Sequence, residues 1–331
     1  MASAGPRRFM LFWLLLGCLS ACCTGAVLAA GQTPLVLALS KSPLSLPFYV
    51  AQKQGYFDAE GVALQIHDVI GGVRSLQQLR RGEADLATSS DTVVMFNSFV
   101  AKDFAVLGSF VTSPDDLRII VRPGLDFSNY PAIKGKRFAV TLASASHYYL
   151  DTWLLLNGID PNSITRVGMP PEAMESALAK AEVDAVSTWE PFGISILRAM
   201  PQAKALTNPG MHTLSFNLMV HVKHLGQKDP ELVKILRALE RAQRFIQAEP
   251  VKSLAILRER LQLEATFIEA IWQRYNYRLT LNQSLLTTLE SQARWARQEG
   301  HVQSERMPNY LDFVYPEPLR SVRRDAVGLS K

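Results

Sequence analysis

The chain has 331 residues, of which 48% are hydrophobic and 20% are charged. This composition excludes a disordered chain and leaves room for two domains of ordinary size. The formal net charge is only +5, and basic residues form neither a block nor an alternation with aromatic residues, so no nucleic acid is expected as a partner.

The first 30 residues have the features of an export signal. Arg7 and Arg8 form a positively charged start, and the apolar run Phe9–Gly17 is shorter than the roughly 20 residues that a bilayer span needs. The motif LSAC, which ends at Cys22, resembles a bacterial lipobox, in which the cysteine receives the lipid. The small residues VLA at 27–29 indicate ordinary signal cleavage as the alternative. We therefore expect a periplasmic protein, and a membrane-anchored lipoprotein if Cys22 is lipidated.

The exported body contains no cysteine. All three cysteines lie between positions 18 and 23, which predicts a body without disulfides, thiol nucleophiles or thiolate metal sites. His221 and His224 are three residues apart, but the sequence offers no third ligand near them, so we interpret them as surface residues. We expect neither a metal nor a cofactor.

Short apolar runs alternate with helical patterns from Pro34 to about residue 102. The strand-like runs are LVLALS, VALQIHDV and ADLATSS, at 35–40, 62–69 and 84–90. The helical patterns between and after them lie at 46–57, 71–82 and 91–102. Strands separated by helices of about a dozen residues predict βαβ crossovers and a largely parallel sheet.

The same order of elements returns in the second half. Strand-like runs at 136–143, 164–169 and 183–188 alternate with helical patterns at 144–158, 170–181 and 190–200. The stretch LRRGEADLATSSD then aligns with LAKAEVDAVSTWE, 99 positions further on, and pairs Asp85 with Asp184. Two α/β lobes are predicted, whether this similarity is an internal repeat or a chance likeness of two βαβ units.

Amphipathic helices replace this alternation after about Thr213. They are predicted at 230–249, 250–262, 264–277 and 282–300, with clear starts at Pro230, Pro250 and Asn282. Their apolar residues recur at the spacing of a buried helix face, which indicates packing rather than cofactor binding.

Ligands of open α/β sheets bind beyond the carboxyl ends of the strands, against helix N-termini. This rule selects positions that are mostly small or hydroxylated. The predicted ligand-binding residues are Ser42, Gly72, Ser90, Asp91, Ser144, Ser146, His147, Trp189 and Glu190. Hydroxyl and backbone N–H donors favour an anionic group, whereas the two carboxylates favour a cationic or N–H group.

Most of these residues also have a purely structural interpretation. Serines and Asp91 are good helix N-caps, Glu190 before a proline suits the positive end of a helix dipole, and His147 suits a surface. Trp189 is an unusual residue for the start of a helix, and its flat face suits stacking on a ligand. Catalytic signatures are weak: the chain lacks a G-x-S-x-G elbow, a Walker loop and a complete G-x-G-x-x-G.

Several motifs in order resemble one family of transport proteins. The resemblance is to the extracytoplasmic substrate-binding proteins of ABC importers. The motifs that carry it are LPFYVAQKQGYFDAEGVALQI at 46–66, IKGKRFAV, LLLNGIDPNSI, VDAVSTWEPF and NYLDFVYPEPL. The group is the nitrate/sulfonate/taurine one, which includes thiamine-pyrimidine binders and is called SsuA/THI5-like. The likeness covers about residues 35–319 and departs at Ala181, where the family usually has glycine.

The resemblance implies a type II periplasmic-binding-protein fold, in which two lobes close on a ligand. Lobe 1 would comprise 31–122 and 219–331, including the C-terminal helices, and lobe 2 would comprise 123–218. The chain would cross near Arg122–Gly124 and return near Ser215–Val220.

The function implied is capture of a small solute, whether sulfonate- or taurine-like, nitrate-like or N-heterocyclic, by a monomer. The protein would deliver this solute to an ABC permease and ATPase complex. An enzyme on the same fold, similar to menaquinone-pathway enzymes, and a periplasmic sensor subunit are the alternatives.

Overall fold

The computed structural model describes Met1 and residues 33–127, 130–206 and 210–330. The predicted signal, apart from Met1, and the lipidation residue Cys22 lie outside the described residues. From Pro34 onward the chain forms one compact unit. Among the described helices, none combines the length and the apolar character needed to cross a membrane.

The strands of the described residues fall close to the predicted runs. They are β1 (Leu35–Ser40), β2 (Leu64–Val69), β3 (Leu86–Ser90), β4 (Phe104–Ser113), β5 (Leu117–Val121), β6 (Arg137–Val140), β7 (Thr165–Gly168), β8 (Ala185–Trp189), β9 (Lys204–Leu206), β10 (Leu214–His221), β11 (Leu281–Asn282) and β12 (Val327–Gly328).

The helices follow the predicted alternation and then the predicted helical region. They are α1 (Leu46–Lys53), α2 (Tyr56–Ala59), α3 (Gly72–Arg80), α4 (Asp91–Ser98), α5 (Ala145–Leu156), α6 (Pro171–Ala179), α7 (Phe192–Ala199), α8 (Asp229–Ala248), α9 (Pro250–Leu261), α10 (Ala265–Trp272), α11 (Gln283–Gln298) and α12 (Glu317–Val322). Short 3₁₀ turns lie between several of them.

Two five-stranded sheets confirm the two-lobed α/β fold. The first has the order β2-β1-β3-β10-β4, and the second has the order β7-β6-β8-β5-β9. In each sheet three strands are parallel, and the next strand, β10 or β5, is antiparallel to its neighbours. The two sheets therefore have the same topology, and each receives its antiparallel strand where the chain crosses from the other lobe.

Matching hydrogen bonds support the internal repeat. Asp85 Oδ2 accepts from the backbone N–H of Val36 at 2.9 Å, and Asp184 Oδ2 accepts from the backbone N–H of Arg137 at 2.9 Å. Each acid thus joins the start of the third parallel strand of its lobe to the start of the first. β8 begins 99 positions after β3, which is the same offset that aligns the two stretches of sequence.

The crossings lie earlier than the predicted points. β5 already pairs with β8 in the second sheet, so the chain changes sheet between Ser113 and Leu117, before Arg122–Gly124. The whole of β10 belongs to the first sheet, so the return precedes Leu214 rather than lying within 215–220. The reason is that both crossing strands pair antiparallel in the sheet they enter, which sequence periodicity does not reveal.

The core of the first sheet is covered by the C-terminal helices. α8 packs on α1, α11 packs on α4, and α12 packs on β4. Phe110 of β4 lies at the centre of this core, edge-on to Phe48 and Phe216 at centroid distances of 5.0 and 5.9 Å. Burying each such side chain contributes about 1.5–3 kcal/mol to stability. This packing fixes the carboxyl edges of the strands, where the cavity described below lies.

Candidate functional site

A cavity of about 380 Å³ lies where the carboxyl ends of the parallel strands of both sheets meet. Its lining includes residues at or directly after the ends of all six parallel strands. They are Ser40 and Ser42, Ile70–Gly72, Ser90, Thr141 and Ser144, Gly168–Pro171 and Trp189. This is the position that the strand-end rule selects for a ligand.

The wall from the first lobe depends on Gly72, the first residue of α3. A Cβ atom at Gly72 would lie 2.4 Å from Ser89 Oγ and 2.8 Å from Ser89 Cα, so only glycine lets the helix begin this close to β3. The first N–H groups of a helix have no acceptor within the helix and lie at the positive end of its dipole. The start of α3 therefore offers donors for an anionic group.

The wall from the second lobe begins at α5. Ser144 Oγ donates to the backbone oxygen of Thr141 at 2.6 Å and lies 3.0 Å from Ser146 Oγ. Ser144 lines the cavity, whereas Ser146 is fully buried behind it, and its backbone oxygen accepts from Ser187 Oγ at 2.8 Å. Of the two serines, Ser144 is the one at the cavity.

Trp189 reaches from the second lobe to the first. It is the last residue of β8, and its Cζ2 lies 3.2 Å from the position of a Cβ built on Gly71, just before α3. The ring also packs edge-on against Phe192 at a centroid distance of 6.0 Å. The indole is therefore held across the cleft and exposes part of its surface to the cavity.

Asp91 and Glu190 do not line the cavity, because both carboxylates are occupied inside the protein. Asp91 Oδ1 accepts from Thr92 N at 2.6 Å, and its Oδ2 accepts from Ser215 N at 3.1 Å. Burial would raise the pKa of Asp91, but the nearby His212, the Ser215 N–H and Gln292 hold it below its ordinary value. Asp91 therefore joins α4 to the start of strand β10.

Glu190 has the corresponding position in the second lobe. Its Oε2 accepts from Ile194 N at 3.0 Å, and its Oε1 lies 3.4 Å from guanidinium nitrogens of Arg118 and Arg274. Burial raises the pKa of Glu190 to about 7, although Arg118 and the Ile194 N–H act in the opposite direction. Its carboxylate holds α7 and the start of β5 together rather than facing the cavity.

His147 is buried beside a second group of polar residues and does not line the cavity. His147, Asp151 and His301 each bring one donor atom within 4.8 Å of the others, a spacing that could hold a metal ion. However, His147 Nδ1 accepts from Ala143 N, which assigns the ring proton to Nε2, the atom nearest Asp151. Arg166 also pairs with Asp151 at 2.7 Å, so a cation already occupies this carboxylate. Burial lowers the pKa of His147 to about 4, so the ring is neutral at pH 7, and the contacts of Asp151 with Arg166 and His301 are those of polar packing.

The cavity also includes residues that the sequence analysis did not select. Asp116 lies between β4 and β5, and further residues of this kind, beyond the strand-end residues given above, include Leu44, Val73, Arg74, Gln77, Val93, Leu117, Leu142, Leu214 and Phe216. Asp116 Oδ1 accepts from Tyr275 Oη at 2.8 Å, and burial raises the pKa of Asp116 to about 7. In the sequence, the one feature that points to Asp116 is its position after Ser-Pro and directly before a strand. Many acids that bind no ligand have the same position, so this feature does not identify a site residue.

An ion pair between α3 and α6 joins the two lobes beside the cavity. Arg74 Nη2 of α3 lies 2.6 Å from Glu172 Oε1 of α6, and both side chains are partly exposed. The contact of Trp189 with Gly71 lies in the same region. Together these contacts bring the two walls of the cavity against each other.

Comparison with known proteins identifies the family. The family model described as NMT1/THI5 like matches residues 42–253, more than half of the chain. A curated relative, "Putative binding protein YtlA" of Bacillus subtilis (strain 168), is 26% identical over 104 residues, which are 31% of this chain and 31% of that protein. The match therefore spans less than a third of the length of this relative.

Solved structures share the fold. The alkanesulfonate-binding protein SsuA of Xanthomonas axonopodis pv. citri, bound to MOPS, has a TM-score of 0.75 at 18% identity, covering 91% of this chain and all of that one. The aliphatic sulphonate binding protein SsuA of Escherichia coli has a TM-score of 0.72 at 17% identity, covering 86% and 92%. The desulfurization enzyme DSZB has a TM-score of 0.66 at 13% identity, covering 89% and 99%. Binding proteins and an enzyme thus have the same fold.

Proposed function

The chain belongs to the NMT1/THI5-like family, and from this premise we propose that it is the extracytoplasmic solute-binding component of an ABC importer. The observation that carries the proposal is the cavity of about 380 Å³ between two lobes of matching topology. A ligand held between two lobes favours the closed form because it contacts both walls only there. The closed form would then be the one that the permease recognises.

The lining of the cavity favours an organic anion over nitrate. The starts of α3 and α5 supply N–H donors and positive dipole ends for an anionic group. Apolar side chains cover much of the remaining wall: Leu44, Val73, Val93, Leu117, Met169, Leu214 and Phe216, with Trp189 beside them. Nitrate is too small to cover these side chains, whereas a sulfonate or carboxylate with an apolar body would bury against them.

The N-terminal sequence supports the proposed place of action. The charged start, the short apolar run and the LSAC motif support export to the periplasm, with lipidation of Cys22 keeping the protein near its permease. A single acyl chain gives only marginal membrane binding, so anchoring would need a further lipid chain or contact. We propose that the protein acts as a monomer that meets the permease and ATPase complex.

A thermal-unfolding screen tests this function. The panel contains alkyl and aryl sulfonates, aromatic carboxylates, nitrate and pyrimidines. A ligand that binds only the folded state raises Tm, by an amount equivalent to about 2.7 kcal/mol at one hundred times its Kd. We expect at least one organic anion to raise Tm and nitrate to leave it unchanged. If every organic compound left Tm unchanged, solute binding would have to be abandoned.

An enzyme is the second candidate, favoured by a specific observation. The desulfurization enzyme DSZB shares the fold, and Asp116 at the cavity has a pKa near neutrality, as a general acid or base requires. Mass spectrometry distinguishes the two functions. A binding protein returns the bound compound unchanged after prolonged incubation, whereas an enzyme releases a compound of different mass.

A further inference from the structure

Among the described residues that line the cavity, Asp116 is the one acid, and one of its oxygens is unpaired. Its Oδ1 accepts from Tyr275 Oη at 2.8 Å, while Oδ2 is buried without a hydrogen-bond partner in the described part of the chain. A buried carboxylate oxygen without a donor costs about 1–3 kcal/mol or more. A ligand in the cavity that supplied a donor would remove this cost.

The charges around Asp116 do not balance. Arg118 and Arg274 each pair with both Asp115 and Glu190, and neither lies within ion-pair distance of Asp116 in the described structure. Asp115 and Glu190 therefore share the two guanidinium groups, and Asp116 is left without an ion-pair partner among the described residues. A cation or N–H donor at Asp116 would complete the network.

Ser42 offers a second polar atom among the residues that line the cavity. Its Oγ is buried and, within the described residues, has no hydrogen-bond partner. Tyr277 connects the two positions, because its hydroxyl donates to the backbone oxygen of Pro43 at 2.9 Å and its ring lies 5.9 Å from that of Tyr275. Burial raises the pKa of Tyr277, and the negative charge of Asp116 is the second cause of the rise, which indicates that the two side chains are close.

We propose that Asp116, together with the hydroxyl of Ser42, selects ligands that carry an amino group or another N–H donor. This inference rests on the proposed solute-binding function and specifies its ligand class. The ligand would be an organic molecule with an anionic group at the helix starts and an N–H group at Asp116. Trp189 and the apolar residues would contact the part between them.

The titration of Asp116 gives the selection a pH dependence. Burial raises the pKa of Asp116 to about 7, with Glu190 and Asp115 adding to the rise and Tyr275 and Arg118 opposing it. Since only the ionised carboxylate attracts a cation, affinity for an amino ligand should fall by up to about tenfold per pH unit below 7. Glu190 titrates in the same range. A ligand without an amino group therefore serves as the internal control. Titration of Glu190 changes its affinity as it does that of the amino ligand, but it gains nothing from the charge of Asp116.

Matched pairs of probes test the inference by calorimetry. The pairs are 2-aminoethanesulfonate with ethanesulfonate, and 4-(aminomethyl)benzenesulfonate with toluene-4-sulfonate. We expect the amino member of at least one pair to bind about tenfold more tightly at pH 7.5, and this preference to disappear in Asp116→Asn. Asp68→Asn, which makes the same chemical change outside the cavity, should keep the preference, and Ser42→Ala should reduce it.

The outcomes separate the inference from the function on which it rests. Equal affinities within every pair, or a preference that persists in Asp116→Asn, would overturn the role of Asp116 and leave solute binding intact. If Asp116→Asn does not fold, the pH profile of the unaltered protein decides the question. An amino-probe affinity that stays constant between pH 8 and 5.5 would overturn the inference. If neither these probes nor the wider panel bind, the proposed function itself fails, and the inference fails with it.

Discussion

Trp189 is the residue whose contribution to binding is easiest to isolate. Its indole spans the cleft to Gly71. Packing within the second lobe does not by itself require an aromatic ring at the end of β8. We expect Trp189→Ala to weaken ligand binding by about tenfold, since loss of a stacked aromatic ring costs about 0.5–1.5 kcal/mol beyond its buried area. Phe245→Ala, which removes a partly buried aromatic ring outside the cavity, is the control and should leave Kd unchanged. Equal affinities of Trp189→Ala and the unaltered protein would contradict a contact between the indole and the ligand.

Asp85 makes a pH-dependent contribution to stability. Burial raises the pKa of Asp85, but hydrogen bonds from Val36 N and His224 outweigh this and leave it below its ordinary value of 3.8. A depressed folded-state pKa stabilises the protein above the unfolded-state value, and this stabilisation is lost as pH falls through the folded-state value. We therefore expect Asp85→Asn to lower the free energy of unfolding at pH 7 and to have a much smaller effect at pH 3. Urea unfolding at the two pH values checks this, and an equal loss at both would be inconsistent with the ionised carboxylate being the stabilising group.

Several individual residues could be predicted from sequence, and others could not. Strand-end serines, Gly72 and Trp189 follow from one rule about where α/β ligands bind, and they line the cavity. Asp91 and Glu190 satisfy the same rule, but their carboxylates turn back to backbone N–H groups, and a sequence does not give the direction of a side chain. Asp116 was missed because it comes from a crossing segment with no motif of its own.

At the scale of elements, the turn before β8 contains Ala181, at the position where the family usually has glycine. Ala181 has a φ of +56°, whereas the equivalent residue in the first lobe is Gly82, with a φ of +74°. A left-handed conformation costs an L-residue roughly 1 kcal/mol, so we expect Ala181→Gly to raise the free energy of unfolding by about that amount. Ala177→Gly, inside α6, should instead lower it by about 1 kcal/mol. Chemical denaturation of both variants checks the opposite signs, and destabilisation by Ala181→Gly would refute strain at this turn.

The elements themselves were largely predictable, but their pairing was not. The alternation of apolar runs and helical patterns gave the strands and helices of both lobes, because each unit repeats at the same spacing. β5 and β10 are apolar runs like the others, and nothing local marks them as antiparallel. Their partners are set by tertiary packing, which is why the crossings lie at 114–116 and before Leu214 rather than at the predicted positions.

At the scale of the whole molecule, the Arg74–Glu172 pair joins the two lobes beside the cavity. The pair is partly exposed, so it contributes at most about 1 kcal/mol and is screened by salt. We expect Glu172→Gln to weaken ligand binding by about two- to fivefold, because the variant favours the closed form less. Glu175→Gln, on the same helix but with no ion pair to the first lobe among the described residues, is the control. An unchanged Kd in Glu172→Gln at low ionic strength would show that the pair does not affect closure.

The central claim is that the two lobes capture a small organic anion in the cavity between them. Isothermal titration calorimetry of the purified protein with the compound that most raises Tm tests it directly, followed by mass spectrometry of the recovered compound. The account predicts one binding site per chain, weaker binding by Trp189→Ala, and recovery of the compound unchanged. Absence of binding heat across the panel, or conversion of the compound to another mass, would contradict it.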